Sequence, residues 1–254
     1  MREGPATVIR REDYTAPAYW IRQVDLAFDL DAAKTLVTSR MQVERNTAVP
    51  PGQALELHGD ELNLLRVLIN GESVSFRHAD GKLVIDRPPA DDRFTLEIRN
   101  TCAPEKNTAL SGLYTSSGGF FTQCEAEGFR RITYFLDRPD VMAVYTVTCA
   151  PRSHATRCCC PTATWWSGAL DGGRHFAKWH DPFPKPSYLF AMVAADLGAA
   201  STHHTRSGKD HLQVQVRMCG AVISTRPNTR CSRSSRRWPG TSRASACRST
   251  STAS

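Results

Sequence analysis

With 254 residues, 41% hydrophobic and 22% charged, the chain has the length of one or two domains and an ordinary soluble composition. No apolar run approaches the roughly 20 residues that cross a bilayer. Met1–Arg11 mixes charges of both signs without an apolar stretch, so no membrane span and no secretory signal are expected, and the cytoplasm is the expected compartment. The net charge of +7 gives no argument for a polyanion partner, because Arg217 to Ser254 holds eight Arg and no Lys, Asp or Glu, and the body without them stands at −1.

The first hundred residues read as β-structure. In Gln23–Asp31, Val24, Leu26, Phe28 and Leu30 alternate with Gln23, Asp25, Ala27, Asp29 and Asp31, the period of a strand with one wet face. Asp31-Ala-Ala-Lys34 is expected to turn, and alternation resumes through Val37, Ser39, Met41 and Val43 to complete a hairpin. Further strands are expected at Leu64–Ile69, Val74–Phe76, Leu83–Ile85 and Phe94–Ile98. Asn70-Gly71 and Asp80-Gly81 stand between them, dipeptides that favour the positive φ of tight hairpins. No helical period appears before residue 100, so the expected class is all-β, a sandwich or saddle-shaped sheet.

Residues 118–148 are richer in polar and special residues. Within them, Thr122–Asp140, TQCEAEGFRRITYFLDRPD, closely resembles the N-terminal domain of the bacterial aminopeptidase N family, zinc metallopeptidases of the gluzincin group. Asp181–Leu197, DPFPKPSYLFAMVAADL, resembles a second signature of the same domain. The opening DYTAPAYWIRQVDLAFDLD and NTALSGLY at Asn107–Tyr114 fit as well. The resemblance covers about 10–148 and 170–217. It implies a β-rich domain packed against a thermolysin-like catalytic domain, and release of single residues from peptide N-termini.

The resemblance also assigns a site. A Gln-x-Glu in this stretch, here Gln123 and Glu125, is implied to bind the substrate's free α-ammonium. A carboxylate and an amide oxygen suit that charge, and one charge-assisted hydrogen bond is worth roughly 1.5–3 kcal/mol. The family's zinc motif is H-E-x-x-H, two His one helical turn apart with a Glu that activates water. None of His58, His78, His154, His175, His180, His203, His204 and His211 is followed by Glu, and the family's Gly-x-Met-Glu-Asn loop is absent too. Zinc is therefore implied for the complete family enzyme but finds no ligand set in this chain. No catalytic residue is expected in it, and alone it should be inactive. Peptides are the implied partners of the complete enzyme, and a monomer without nucleic-acid or membrane partners is expected.

The other residues of these segments read as structural. Asp137-Arg138-Pro139-Asp140 suggests a turn held by local hydrogen bonds. The three prolines of Asp181–Pro186 stiffen a connection and exclude helix. Phe120, Phe121 and Tyr134 fit core packing better than a specificity pocket.

Two stretches break the pattern. Cys149–Ser167 has no acid and no Lys, and 218–254 is rich in Arg and Ser without amphipathic period. Seven of the nine Cys lie in or beside them, and an odd count without a secretory signal argues against a disulfide framework. Cys149, His154, Cys158, Cys159 and Cys160 could supply zinc ligands, but three adjacent Cys converge poorly on one tetrahedral ion. A basic tail could instead bind phosphates, which makes a β-domain with a nucleic-acid-binding tail the alternative function. One explanation covers both stretches, a shift of reading frame. Back-translated with GC-rich codons and read at a two-base offset, CCCPTATWWS gives LLSNGNLVE, RRWPGTS gives KAMAWDE and RASACRSTSTAS gives GFGLPLDLDS, all of which resemble the family. The expected organisation is thus an N-terminal β-domain over 10–217, with 149–167 forming an aberrant loop. A non-native, disordered tail, 218–254, then stands where the catalytic domain should begin.

Overall fold

The computed structural model describes residues 10–79, 81–151, 157–159, 164–169, 175–195, 198–204 and 214–220, with residues 151 and 175 and the segments 157–159, 164–169, 198–204 and 214–220 by backbone alone. It is all-β apart from short 3-10 turns. The first compact unit is Met1–Ala195 and the second Asp196–Ser254.

Strand β1 (Tyr19–Leu30) and strand β2 (Thr35–Arg45) form the expected hairpin. Asp31 closes its turn, its Oδ1 accepting from the backbone N–H of Ala33 and Lys34 at 3.0 Å each. Val24, Leu26, Phe28 and Leu30 face inward with Val37, Ser39, Met41 and Val43, all buried. β1 begins four residues earlier than its alternation indicates. A bulge between Ile21 and Gln23 leaves Arg22 and Gln23 both exposed, which resets the inward face and hides the first turn of the pattern.

Next come β3 (Leu55–His58), β4 (Asn63–Ile69), β5 (Glu72–Ser73), β6 (Arg77–Ala79), β7 (Lys82–Ile85) and β8 (Arg93–Cys102). Asn70 and Gly71 turn between β4 and β5 with φ of 52° and 88°, as their side chains foretold. Val74–Phe76 is not a strand. Its residues join β5 to β6, and Phe76 is an exposed apolar side chain. Then follow β9 (Gly112–Ser116), β10 (Gly119–Gln123), β11 (Met142–Pro151), β12 (Arg157–Cys159), β13 (Thr164–Ala169), β14 (His175–Pro186) and β15 (Val193–Ala195).

The large sheet runs β13-β14-β11-β1-β2-β8-β4-β5, with β1 and β11 parallel and its other pairs antiparallel. Two smaller sheets, β12-β15-β10-β9 and β3-β7-β6, share one buried core with it. Leu55, Leu57, Leu83 and Ile85 enter that core from one small sheet, Leu113, Phe120 and Ala194 from the other. This is a saddle-like sandwich.

The prolines of Asp181–Pro186 lie inside β14 rather than in a connection. Pairing with β13 ends at His180, so Pro182, Pro184 and Pro186 fall where β14 has become an edge and a missing donor is tolerated. The expected loop at 149–167 is in part strand: β11 continues through Cys149, which pairs with Ala177 and is buried, and β12 and β13 follow. Backbone pairing needs no particular side chain, so the odd composition does not prevent it. In the second unit β16 (Gly198–His204) pairs with β17 (Val214–Gly220), which carries strand three residues past the expected boundary at 217. The expected disorder of the tail concerns 221–254, which lies outside the described residues.

Candidate functional site

Gln123 ends β10 and Glu125 follows in the loop that leads to a 3-10 turn at Phe129–Arg131; both side chains are exposed. Cys124 between them points inward at 2% exposure. Burial pushes its thiol up, with the Asp137 carboxylate adding to the effect, so it stays protonated and acts as a small apolar plug. The loop closes on Gly128, whose N–H donates to the Cys124 carbonyl at 2.7 Å. A Cβ at Gly128 would collide with the Gln123 carbonyl and come within 3.0 Å of the Cys124 Cα, so only glycine allows the chain to fold back this tightly.

Beneath the loop lies a charged anchor. Arg130 donates through Nε to Asp137 Oδ2 at 2.9 Å and through Nη2 to the Asp137 carbonyl at 3.1 Å, and its backbone N–H reaches the same carboxylate at 3.2 Å. The Asp137 side chain is 1% exposed, and Ser187 Oγ donates to its other oxygen at 2.6 Å. Arg130 also pairs with exposed Glu127 at 3.1 Å, within the loop itself. Arg131 turns the other way, to Asp60 at 2.8 Å and to Glu61. Phe129 is fully buried, its ring edge-to-face with Phe135, Tyr145 and Phe190 at 4.8, 5.9 and 5.3 Å. Asn100 of β8 donates to the Ile132 carbonyl at 3.0 Å and accepts from Thr133 Oγ1 at 2.9 Å. Gln123 and Glu125 thus ride on a rigid root with their own polar groups exposed.

Asp137 was expected in a local turn. The local bonds belong instead to Arg138, which grips Asp140 at 2.9 and 2.7 Å and holds that carboxyl below its ordinary value. Asp137 reaches back to Arg130 and forward to Ser187. Sequence reading missed the Arg130–Asp137–Ser187 anchor; a charge pair framing the apolar run ITYFL was the one available signal. Phe120 and Tyr134 are core residues as expected, while Phe121 is half-buried and stacks on Tyr114 at 6.0 Å.

Among the described residues no group of three or more His, Cys, Asp and Glu is placed to hold a metal ion. Of the ligands weighed around Cys149, His154 and Cys160 lie outside the described residues. A recess of about 530 Å³ is lined by Arg22, Gln42, Glu44, Arg93, Met142 and Pro184. Its charges already pair across β1, β2 and β8, Arg22 and Arg93 with Glu44 at 3.4 and 3.3 Å, which marks a solvated sheet face. No helix among the described residues is long and apolar enough to cross a membrane.

Comparison with known proteins places this geometry. Residues 20–189 match the peptidase M1 N-terminal domain. The chain is 46% identical over 210 residues to aminopeptidase N of Escherichia coli, covering 79% of this chain and 23% of that protein. Against aminopeptidase N of Caulobacter vibrioides it is 41% identical over 219 residues, covering 83% and 24%. The fold superposes on Legionella pneumophila aminopeptidase A, solved with aspartic acid, with a TM-score of 0.72, 28% identity and coverage of 82% and 25%. Yeast LTA4 hydrolase, solved with bestatin, shares the fold at a TM-score of 0.57 and 19% identity, covering 72% and 29%. The chain spans about a quarter of the length of the curated relatives it matches.

Proposed function

The chain belongs to the M1 peptidases, whose N-terminal domain it carries, and from that premise we propose that it supplies the substrate-amine contact of an aminopeptidase. Glu125 and Gln123 receive the α-ammonium of a peptide's first residue. The observation that most supports this is the loop from Gln123 to Gly128, fixed at its root by Arg130 and Asp137 while both acceptor side chains stay exposed.

An exopeptidase must recognise a charged terminus, and a preset carboxylate does so with little reorganisation. Glu125 contributes the charge and Gln123 Oε1 a second acceptor. Zinc supplies the hydrolytic chemistry in the complete family enzyme. The residues of this chain do not fit it, for none of the eight His precedes a Glu and the described acids and thiols form no ligand set. The 254 residues alone therefore hold neither stoichiometric zinc nor hydrolytic activity. The domain proper runs to about 217, and 149–167 and 218–254 are shifted-frame sequence.

Three measurements test this. Purified 254-residue protein is assayed for zinc and for hydrolysis of an alanyl chromogenic substrate, and activity would refute the inert reading. Resequencing the coding DNA around codons 149, 168 and 217 should reveal compensating insertions or deletions if the frame is shifted. For the amine contact, residues 1–217 are grafted onto the remainder of the E. coli enzyme. Glu125→Gln in that graft should lower kcat/KM about ten- to a hundredfold, the worth of one charge-assisted hydrogen bond.

A further inference from the structure

The face of β10 that carries Gln123 also carries Phe121, two residues back, and the strand register extends that face over both neighbours. Phe121 stands opposite Tyr114 of β9 on one side and Val193 of β15 on the other. Side chains directly opposite share a face. These three are half-exposed, whereas Leu113, Phe120 and Ala194 at the alternate positions are buried in the core. The outer face of β1 and β2 shows what solvent selects, for Arg22, Gln23, Asp25 and Gln42 are exposed there. A tyrosine, a phenylalanine and a valine side by side on the outer face of the smaller sheet, with no charge among them, suit an apolar neighbour instead.

The row lies flat beside the amine contact. The Phe121 ring rests on the backbone at Gly119, where a Cβ would come within 3.0 Å of its Cε2, and Tyr114 stacks against it at 6.0 Å and 26°. At strand spacing, Phe121 and Gln123 stand about 7 Å apart. No side chain of β9 or β10 fills that step. Leu113 and Thr122 share the inward face, with Thr122 Oγ1 accepting from the Met192 N–H at 2.7 Å, and Gly112 opposite Gln123 has no side chain.

Resting on the amine contact proposed above, we infer that Tyr114, Phe121 and Val193 form one wall of the subsite for the side chain of the substrate's first residue. With the ammonium held at Glu125 and Gln123, a branched or aromatic side chain crosses the step to the rings, and a methyl group does not. The wall therefore favours a leucyl over an alanyl terminus, and it gives no counter-charge to a charged side chain.

The test is the ratio of kcat/KM for a leucyl over an alanyl chromogenic substrate, in the graft of residues 1–217 on the E. coli enzyme. Phe121→Ala should lower that ratio about tenfold, the lower end of what an apolar pocket discriminates. Phe121→Leu, which keeps an apolar side chain, should restore most of it. Val193→Thr, which keeps the shape and the strand but adds a hydroxyl, should lower the ratio severalfold. Glu125→Gln should slow both substrates alike. A ratio unchanged in Phe121→Ala and Val193→Thr overturns the inference, and the amine contact still stands if Glu125→Gln slows both substrates. Equal losses on the two substrates in both wall variants mean that the row packs against the rest of the enzyme, and overturn it as well. A Glu125→Gln variant as fast as the parent removes the amine contact and this inference with it.

Discussion

The β1–β2 hairpin and the loop from Gln123 to Asp137 are held by opposite means. The hairpin rests on a repeated rule, one inward apolar side chain every second residue, with Val24, Leu26 and Phe28 facing Val37, Ser39 and Met41. Any one contact there is replaceable by its neighbours. The loop follows no period. It rests on a few contacts that cannot substitute for one another: Arg130 on Asp137, Asp137 on Ser187, Gly128 folded onto Cys124. Regular structure carries the core, and irregular backbone anchored by buried polar groups carries the exposed site.

The sharpest way to break that contrast is to remove the anchor. Asp137→Ala strands a largely buried guanidinium and should lower stability by about 3–5 kcal/mol, measured by urea denaturation. Asp140, 24% exposed and paired with Arg138, should matter far less when changed to Ala, by about 1 kcal/mol or below. Similar losses at both positions would erase the distinction between anchor and surface turn. A smaller effect is expected on the regular side, at the β4–β5 turn. Gly71→Ala forces a Cβ into φ of 88° and should cost about 1–2 kcal/mol in the same experiment, without altering the loop.

Smallest and most specific is a pH effect at His58, where regular strand meets the loop. This residue ends β3 and bridges Phe135, with backbone bonds of 2.8 and 3.0 Å. Burial, then the charges of Arg130 and Lys82, hold its pKa below the ordinary 6.5, against a partial pull from Asp137 and the Phe135 backbone. As pH falls through 6.5 the unfolded chain takes up a proton that the folded chain refuses. Stability should therefore decline below that pH, until the folded-state pKa is reached. Urea midpoints at pH 7.5 and 5 should differ less in His58→Gln than in the parent, and equal slopes would remove His58 from the account.

The same contrast sets what was legible in the sequence. Strands with one wet face announced themselves, as did the Asn70-Gly71 turn, because local pattern and local structure coincide there. Val74–Phe76 misled because apolar residues at alternate positions can also line a connection. The bulge at Arg22 concealed the start of β1. The assignment of Gln123 and Glu125 rests on the resemblance of TQCEAEGFR alone, since nothing in their spacing marks an amine contact; the sequence pattern did not show that both stand exposed on one closed loop. The anchor beneath them was not legible, for Asp137 and Ser187 lie fifty residues apart and no period connects them.

The most direct test of the amine contact is selectivity rather than rate. In the graft on the E. coli enzyme, inhibition by alaninamide is compared with inhibition by propionamide, which differs by the amine alone. The parent should prefer alaninamide by about ten- to a hundredfold, and Glu125→Gln should remove most of that preference. A preference unchanged in Glu125→Gln and in the Gln123→Ala, Glu125→Gln double variant would show that the ammonium is held elsewhere, and would contradict the function proposed for this loop.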